Sequence, residues 1–414
     1  MIVSALAVSC TDDELVKGGD KYEVVPDIPV ALSLKIKVAD QMEVQTRLAQ
    51  SDETERTVNK LFVIAFKPSK QSDGAENADA SDDEWSVDNS AFYDTEDGLG
   101  NPIEVGKPQS VEFSMTTGLR RIYVVGNPQS GVGTLSDDEL KNVKTIAALK
   151  ALYSKLSDNL SVERVYFLMT GQAITKEKSE IVTVYKSGDH QGAIREDYTM
   201  ALNHVDARIT FNIIPAVGVT FEPEAYRVIN IPGGTYLFSR EKQNSGDNTW
   251  DYDGAGYAPS NRLSDFTEKD GKSIFEFYIC ENRQNPKQKI STESLLEEGT
   301  YYALREKQEK KLITGTVEGQ KYENGEYVYA NAKSTYVELE GTITYKDDDG
   351  SEVYAKTTYT IHLGNTGNSN TADWLNDLEL VNNYDTERNT HYTYNVKVQS
   401  VDPVSYTHLT LPTT

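Results

Sequence analysis

The sequence predicts a mainly β protein: two related β-sandwich domains, with one short helix in the first. Three observations carry this. First, apolar residues recur at every second position in several stretches, as in Val30-Ala-Leu32-Ser-Leu34-Lys-Ile36-Lys-Val38. A period of two belongs to a strand with one buried face. Second, Tyr is abundant, 25 residues against 11 Phe and 3 Trp. With many Thr and Val, this composition suits sheets that are wet on one side. Third, both halves share a loose plan of an amphipathic strand, a gap and a more apolar strand, over 30–38 and 57–66 and again over 201–214 and 219–231. That repetition places a domain boundary near residue 198.

The elements follow in order. After the strand at 30–38, Gln45-Thr46-Arg47-Leu48-Ala49 is a polar break with an exposed arginine. Leu61-Phe-Val-Ile-Ala-Phe66 is apolar on both faces and reads as a central strand. Residues 71–98 form an acidic stretch with no Lys or Arg between Lys70 and Lys107, which predicts a long solvated loop. Arg121–Val125 is a strand. Ser136 with Glu139 three residues later makes a capping box, and Leu140, Val143, Ala147, Ala151 and Leu152 give the helix an apolar side that packs on a sheet. Strands follow at 165–169, 207–213, 226–231, 273–279, 336–345, 352–363 and 392–399. Asp347-Asp-Asp-Gly350 between two alternating runs signals a hairpin.

Composition excludes several functions. Across 414 residues, 41 Lys and Arg against 65 Asp and Glu leave a net charge of −24. A phosphate backbone needs a basic surface, so nucleic acid is not a partner. An anionic membrane surface is excluded as a direct partner on the same ground. Two cysteines, Cys10 and Cys280, cannot build a disulfide framework, and no Cys/His spacing suits zinc, so neither metal nor cofactor is expected. No apolar run reaches the length of a membrane span.

Catalytic motifs are missing: no nucleophile elbow, metalloprotease helix, phosphate loop or dinucleotide fingerprint occurs. His190, His204, His362, His391 and His408 are scattered. Glu338 and Glu340 alternate with apolar neighbours, which puts them on a solvent face rather than in a paired-carboxylate site. Cys280 ends an apolar strand and reads as a buried thiol. Trp85, Trp250 and Trp374 lie in polar stretches and are the candidate platforms for a glycan-binding surface protein. No enzyme is predicted.

Both ends of the chain stand apart. Met1 to Cys10 is a short apolar run closing on Ser9-Cys10, without a basic front. It resembles the back half of a bacterial lipoprotein signal, whose cysteine is acylated. Thr11-Asp-Asp-Glu14 after it resembles a surface-export signal of Bacteroides-type lipoproteins. Residues 403–414 resemble the translated read-through of a sequencing adapter and read as a non-native tail.

The first strand raises the functional question. A protease cutting after Arg47 would detach residues 30–38 from the sandwich they pack in. The vacated groove would expose unpaired backbone, which templates another strand. The residues leave this open against the alternative of an uncut loop with 30–38 as a permanent edge strand.

The chain resembles the Bacteroidales fimbrillins, the major subunits of type V pili. The resembling residues are Cys10; Thr46-Arg47; Glu55-Arg-Thr-Val-Asn-Lys-Leu-Phe-Val-Ile-Ala-Phe66; Tyr123-Val-Val-Gly-Asn-Pro128; Leu168-Met-Thr-Gly171; and Leu202-Asn-His-Val-Asp-Ala-Arg-Ile209. Later come Val228–Pro232, Tyr278–Arg283, Thr335–Gly341 and Arg388–Val396. The resemblance implies two tandem transthyretin-like β-sandwich domains, at 48–197 and 198–402. It implies a lipoprotein signal at 1–10 with Cys10 acylated, and a propeptide at 11–47 that includes the first strand. An arginine-specific protease would cut between Arg47 and Leu48, displacing Val30, Leu32, Leu34, Ile36 and Val38. Other copies of the chain and related subunits would then fill the groove on the cell surface, by donor-strand exchange. The outer membrane holds the precursor through its lipid until cleavage. Minor and tip subunits of such pili, and an uncut glycan-binding lipoprotein, fit the same features.

Overall fold

The structure, a computed structural model, describes residues 24–39, 42–44, 57–128, 135–155, 167–175, 178–186, 199–239, 257–283, 288–290, 315–317, 320–322, 327–329, 333–364 and 385–401. The first half contributes β1 (Pro29–Val38), β2 (Met42–Val44), β3 (Lys60–Lys67), β4 (Ser86–Asp94), β5 (Gln109–Thr116), β6 (Gly118–Gly126), α1 (Asp137–Lys141), α2 (Ile146–Lys150), β7 (Tyr153–Lys155), β8 (Met169–Gln172), β9 (Val182–Val184) and β10 (Thr199–His204). Eight of these form one sheet in the order β4-β3-β6-β8-β10-β1-β5, with β9 beside β6. The path curls until its two ends meet. There Asn89 donates to the Ser114 carbonyl at 2.7 Å and the Tyr93 hydroxyl donates to the Glu112 carbonyl at 2.7 Å. The layers of this unit are therefore two sides of one hydrogen-bonded path, wrapped around Leu34, Ile36, Val63, Phe113, Val124, Met200 and their neighbours.

The central strand β3 is buried on both faces, as its unbroken apolar run requires. Its second face, with Tyr123 and Val125 of β6, is covered by Trp85, the two helices and Leu237 and Phe238. The predicted single helix is two five-residue helices. The capping box at Ser136 and Glu139 forms as expected, but α1 stops at Asn142 and Thr145 starts α2 from an extended conformation, accepting from Ala148 N. The break shifts the buried face to Leu140, Val143, Ile146 and Leu149, and Ala151 is exposed.

Residues 71–98 are not wholly a solvated loop. Ser86–Asp94 pairs along β3, and Trp85 is fully buried, its indole N–H donating to the Ala80 carbonyl at 3.1 Å. The charge run misleads because its acids have partners distant in sequence. Asp82 accepts from Arg121 and Lys150 at 2.8 and 2.9 Å, and Arg121 lies over the Trp85 ring. Glu76 and Asp88 both bind Arg120, at 2.8 and 3.2 Å. Of the strand expected at 165–169, residues 165–166 lie outside the described residues and the strand runs Met169–Gln172; Gln109–Thr116 is a further strand not expected from the sequence.

The second half comprises β11 (Asp206–Pro215), β12 (Val219–Ile229), β13 (Ile231–Pro232), β14 (Gly234–Tyr236), β15 (Tyr257–Ala258), β16 (Thr267–Lys269), β17 (Lys272–Cys280), β18 (Gln288–Ile290), β19 (Gly315–Val317), β20 (Gln320–Tyr322), β21 (Tyr327–Tyr329), β22 (Tyr336–Lys346), β23 (Glu352–His362) and β24 (Thr390–Val398). Two sheets, β16-β17-β11-β24-β2 and β12-β22-β23, enclose a second core of Ile209, Phe211, Tyr226, Phe275, Leu339, Tyr394 and neighbours. Asp347–Gly350 makes the β22–β23 hairpin, with Gly350 at positive φ. The chain passes from the first sheet to the second between His204 and Asp206.

The two units are interlocked. β14 pairs with β7, Leu237 and Phe238 complete the core over the helices, and Tyr278 enters the core of the first sheet. Asn389, at positive φ before β24, accepts from His204 N and donates to Asn203.

Arg120 is the most consequential buried charge. It is fully buried and also donates to Thr116 Oγ1 and to the Thr117 carbonyl, thereby fixing the Thr116–Gly118 turn between β5 and β6. Gly118 has a φ of 114°, and a Cβ there would collide with Glu76. Removing one partner of such a network strands the others without solvent. Arg120→Met is expected to destabilise the protein by about 3–5 kcal/mol in chemical denaturation. A loss under about 1 kcal/mol, the level of a surface pair, would contradict the network's role.

Candidate functional site

The first strand is an interior strand, not the edge strand that the uncut alternative assumed. β1 pairs antiparallel with β5 over eight residue pairs, from Pro29↔Thr116 to Ile36↔Gln109. On its other side it pairs parallel with β10, from Lys35↔Thr199 to Val38↔Leu202. Among the described residues, β5 has no other backbone strand partner. β1 is thus what joins β5 to the rest of the sheet.

Its side chains alternate as the sequence requires. Val30, Leu34, Ile36 and Val38 are buried and Leu32 packs half-buried against the same core, while Ala31, Lys35 and Lys37 face out. Burying four such residues is worth about 1.5–3 kcal/mol each, an upper estimate for a real unfolded chain. Their combined contribution rivals the whole stability of an ordinary domain, about 5–15 kcal/mol. A sheet that lost β1 would therefore be driven strongly to refill the gap.

The start of the strand is clamped by more than the ladder. Four hydrogen bonds join Thr117 to residues 25–28. Its hydroxyl donates to the Val25 carbonyl at 2.6 Å and accepts from Ile28 N at 3.0 Å. Its amide donates to the Ile28 carbonyl at 2.9 Å, and its carbonyl accepts from Asp27 N at 3.0 Å. Asp27 itself sits at a φ of 67° and accepts from Lys67 and Lys70 at 3.0 and 2.8 Å.

Beyond β1 the chain crosses to the second unit. β2 pairs parallel with β24, Met42↔Thr390 to Val44↔Tyr392, and is the end strand of that sheet. Sequence reasoning missed this strand; the only signal is the brief Met42-Glu-Val44 alternation. Cys10, Arg47 and Leu48 lie outside the described residues.

Other residues singled out by sequence serve packing. His204 lies beside Phe167, His362 beside Tyr336, and His391 Nε2 is 2.9 Å from the Thr210 hydroxyl, all three buried. Cys280 is buried, its thiol facing Asp206 at 3.8 Å. Glu338 and Glu340 lie opposite the buried Val337 and Leu339, and Glu340 pairs with Arg262. Trp85 is sealed in a core and offers no glycan platform, while Trp250 and Trp374 lie outside the described residues. Among the described residues, no group of three or more His, Cys, Asp and Glu side chains is placed to hold a metal ion, and no helix is long and apolar enough to cross a membrane.

The clamp has a pH signature. The hydrogen bond from Lys70, then that from Lys67, holds the Asp27 carboxyl at about 2, below its ordinary 3.8. A carboxyl more acidic in the folded state stabilises that state fully above its unfolded pKa, and this contribution is lost as pH falls through the folded value. The clamp is therefore expected to be intact above about pH 4 and released between there and about pH 2. Carbon-detected NMR titration of Asp27 checks this; a midpoint at the ordinary carboxylate value would contradict it.

Two solved structures are similar over most of the chain. One is the tip fimbrial protein Mfa3 from Porphyromonas gingivalis with a C-terminal truncation, at 14% identity and a TM-score of 0.46, covering 90% of this chain and 95% of that one. The other is a putative cell adhesion protein from Bacteroides eggerthii, at 16% identity and a TM-score of 0.42, covering 94% of this chain and 92% of that one. No curated protein sequence matches. Residues 30–208, from the first strand to just past the crossing into the second sheet, match the family model of the major fimbrial subunit protein (FimA).

Proposed function

We propose that this chain is a structural subunit of a cell-surface pilus with adhesion as its role. It is exported as a lipoprotein precursor acylated at Cys10, cut between Arg47 and Leu48 by an arginine-specific protease, and polymerised by donor-strand exchange with other copies and related fimbrial subunits. The observation that carries this reading is the position of β1. It bridges β5 to β10 in the interior of a curled sheet, yet the chain reaches it from β3 only through the segment containing Arg47. A cut there leaves β1 and β2 held by non-covalent contacts alone. Their loss opens a gap between β5 and β10 and frees the edge of β24. Two facing strands with unpaired backbone groups and an uncovered apolar floor are a template for an incoming strand. An exchange that runs head to tail does not close, so it propagates as a filament. The family match over residues 30–208 covers this groove.

Protein recovered from cells is expected to begin at Leu48 and to be found in filaments by electron microscopy, and Arg47→Ala is expected to abolish both while leaving fatty-acid labelling at Cys10. Filaments built from uncut chains, or a verified cut followed by a persistently monomeric protein, would overturn the proposal.

A further inference from the structure

The alternation of β1 leaves one ambiguity. A slip of one residue turns every side chain to the wrong face, but a slip of two restores the same face. Val30, Leu32, Leu34, Ile36 and Val38 would offer nearly the same apolar row after such a slip. The groove therefore needs a feature outside the row to select one register.

We propose that Lys67 and Lys70 form a carboxylate-reading socket, with Thr117 holding the adjoining backbone, that sets this register, and that the occupant from a second subunit carries an Asp or Glu two residues before its first paired residue. The inference rests on the strand-exchange reading above. In the intact chain the socket is filled by Asp27, two residues ahead of Pro29, the first residue of the ladder with β5. All three residues belong to the part of the chain downstream of Arg47 and remain when the first strand leaves. Thr117 is held in place independently by Arg120, which donates to its carbonyl. Among the described residues, Asp27 is the acid within 3 Å of these two cations, and Glu76 acts on Lys70 from farther off; both cations would then face the empty end of the groove. Lys67 retains only a longer contact to Asp88, at 3.9 Å, and Asp88 is already bound by Arg120. A two-residue slip moves a carboxylate by about 6–7 Å along the strand, beyond the reach of both lysines.

The socket acts on register more than on affinity. Lys67 and Asp27 are each about a third exposed and Lys70 is half-exposed, and exposed pairs are individually weak. The apolar row supplies the driving force and the socket chooses among its equivalent placements.

The test uses the full chain, nicked after Arg47 and verified by its Leu48 terminus, with its own first strand still bound. Labelled synthetic peptides of residues 24–44 are exchanged into it. The wild-type peptide is expected to exchange in, and the Asp27→Asn peptide about fivefold less effectively. On a Lys67→Met/Lys70→Met chain the two peptides are expected to compete equally. A cross-linker at Lys35 is expected to report a single partner on β10 with the wild-type peptide, and partners two residues apart with the Asn variant. Equal competition and equal register on the unaltered chain, with an Ile36→Asp peptide excluded, would overturn the socket while leaving strand exchange standing. Failure of every peptide, wild type included, would overturn strand exchange and the socket with it.

Discussion

The first unit depends on one strand that holds two others together. Among the described residues, β5 has β1 as its one backbone ladder partner, and β1 lies between it and β10. The curl that brings β4 and β5 face to face, and so closes the core around Phe113 and Val63, rests on that insertion. Interior strands are ordinarily the least separable parts of a sheet. Here the interior strand is joined to β3 through the segment that holds Arg47. Its burial and its pairing on both edges distinguish the fold from one in which the first strand merely borders the sheet.

The strands around β1 are also held by contacts that do not involve it. The second face of β3 and β6 is covered by Trp85, the helices and Phe238, in a core cluster separate from the one that holds the first strand's side chains. Arg120 pins the Thr116–Gly118 turn from beneath through Glu76 and Asp88. That turn is therefore held by contacts other than those it makes with residues 25–28. On the other side, Asn389 and Tyr278 tie the end of β10 to the second unit. The neighbours of β1 are thus anchored by contacts outside its ladder.

Much of this was legible in sequence, and the exceptions share a cause. Period-two alternation located β1, β11, β17, β22, β23 and β24, and the unbroken run Leu61–Phe66 identified the two-sided strand. The capping box at Ser136 was readable because it is local. What escaped were features made by partners remote in the chain. The acids at Glu76, Asp82 and Asp88 look like a solvated run until Arg120, Arg121 and Lys150 are seen beside them. Asp27 has no periodic signature, and its lysines lie 40 and more residues away. β2 is only three residues long and pairs with a strand near the other end of the chain. Local propensity and periodicity carry no information about such pairings.

Amide hydrogen exchange, residue by residue, tests the central dependence of β5 on β1 most directly. It should be followed in the intact chain and again after the segment ahead of Leu48 has been cut and displaced. The ladder amides of Gln109–Thr116 are expected to lose their protection together when the first strand leaves. Those of Leu61–Phe66, which are bonded to β4 and β6, should stay protected. Undiminished protection across Gln109–Thr116 after displacement would contradict it, because β5 would then be held by something other than the strand on which the account rests.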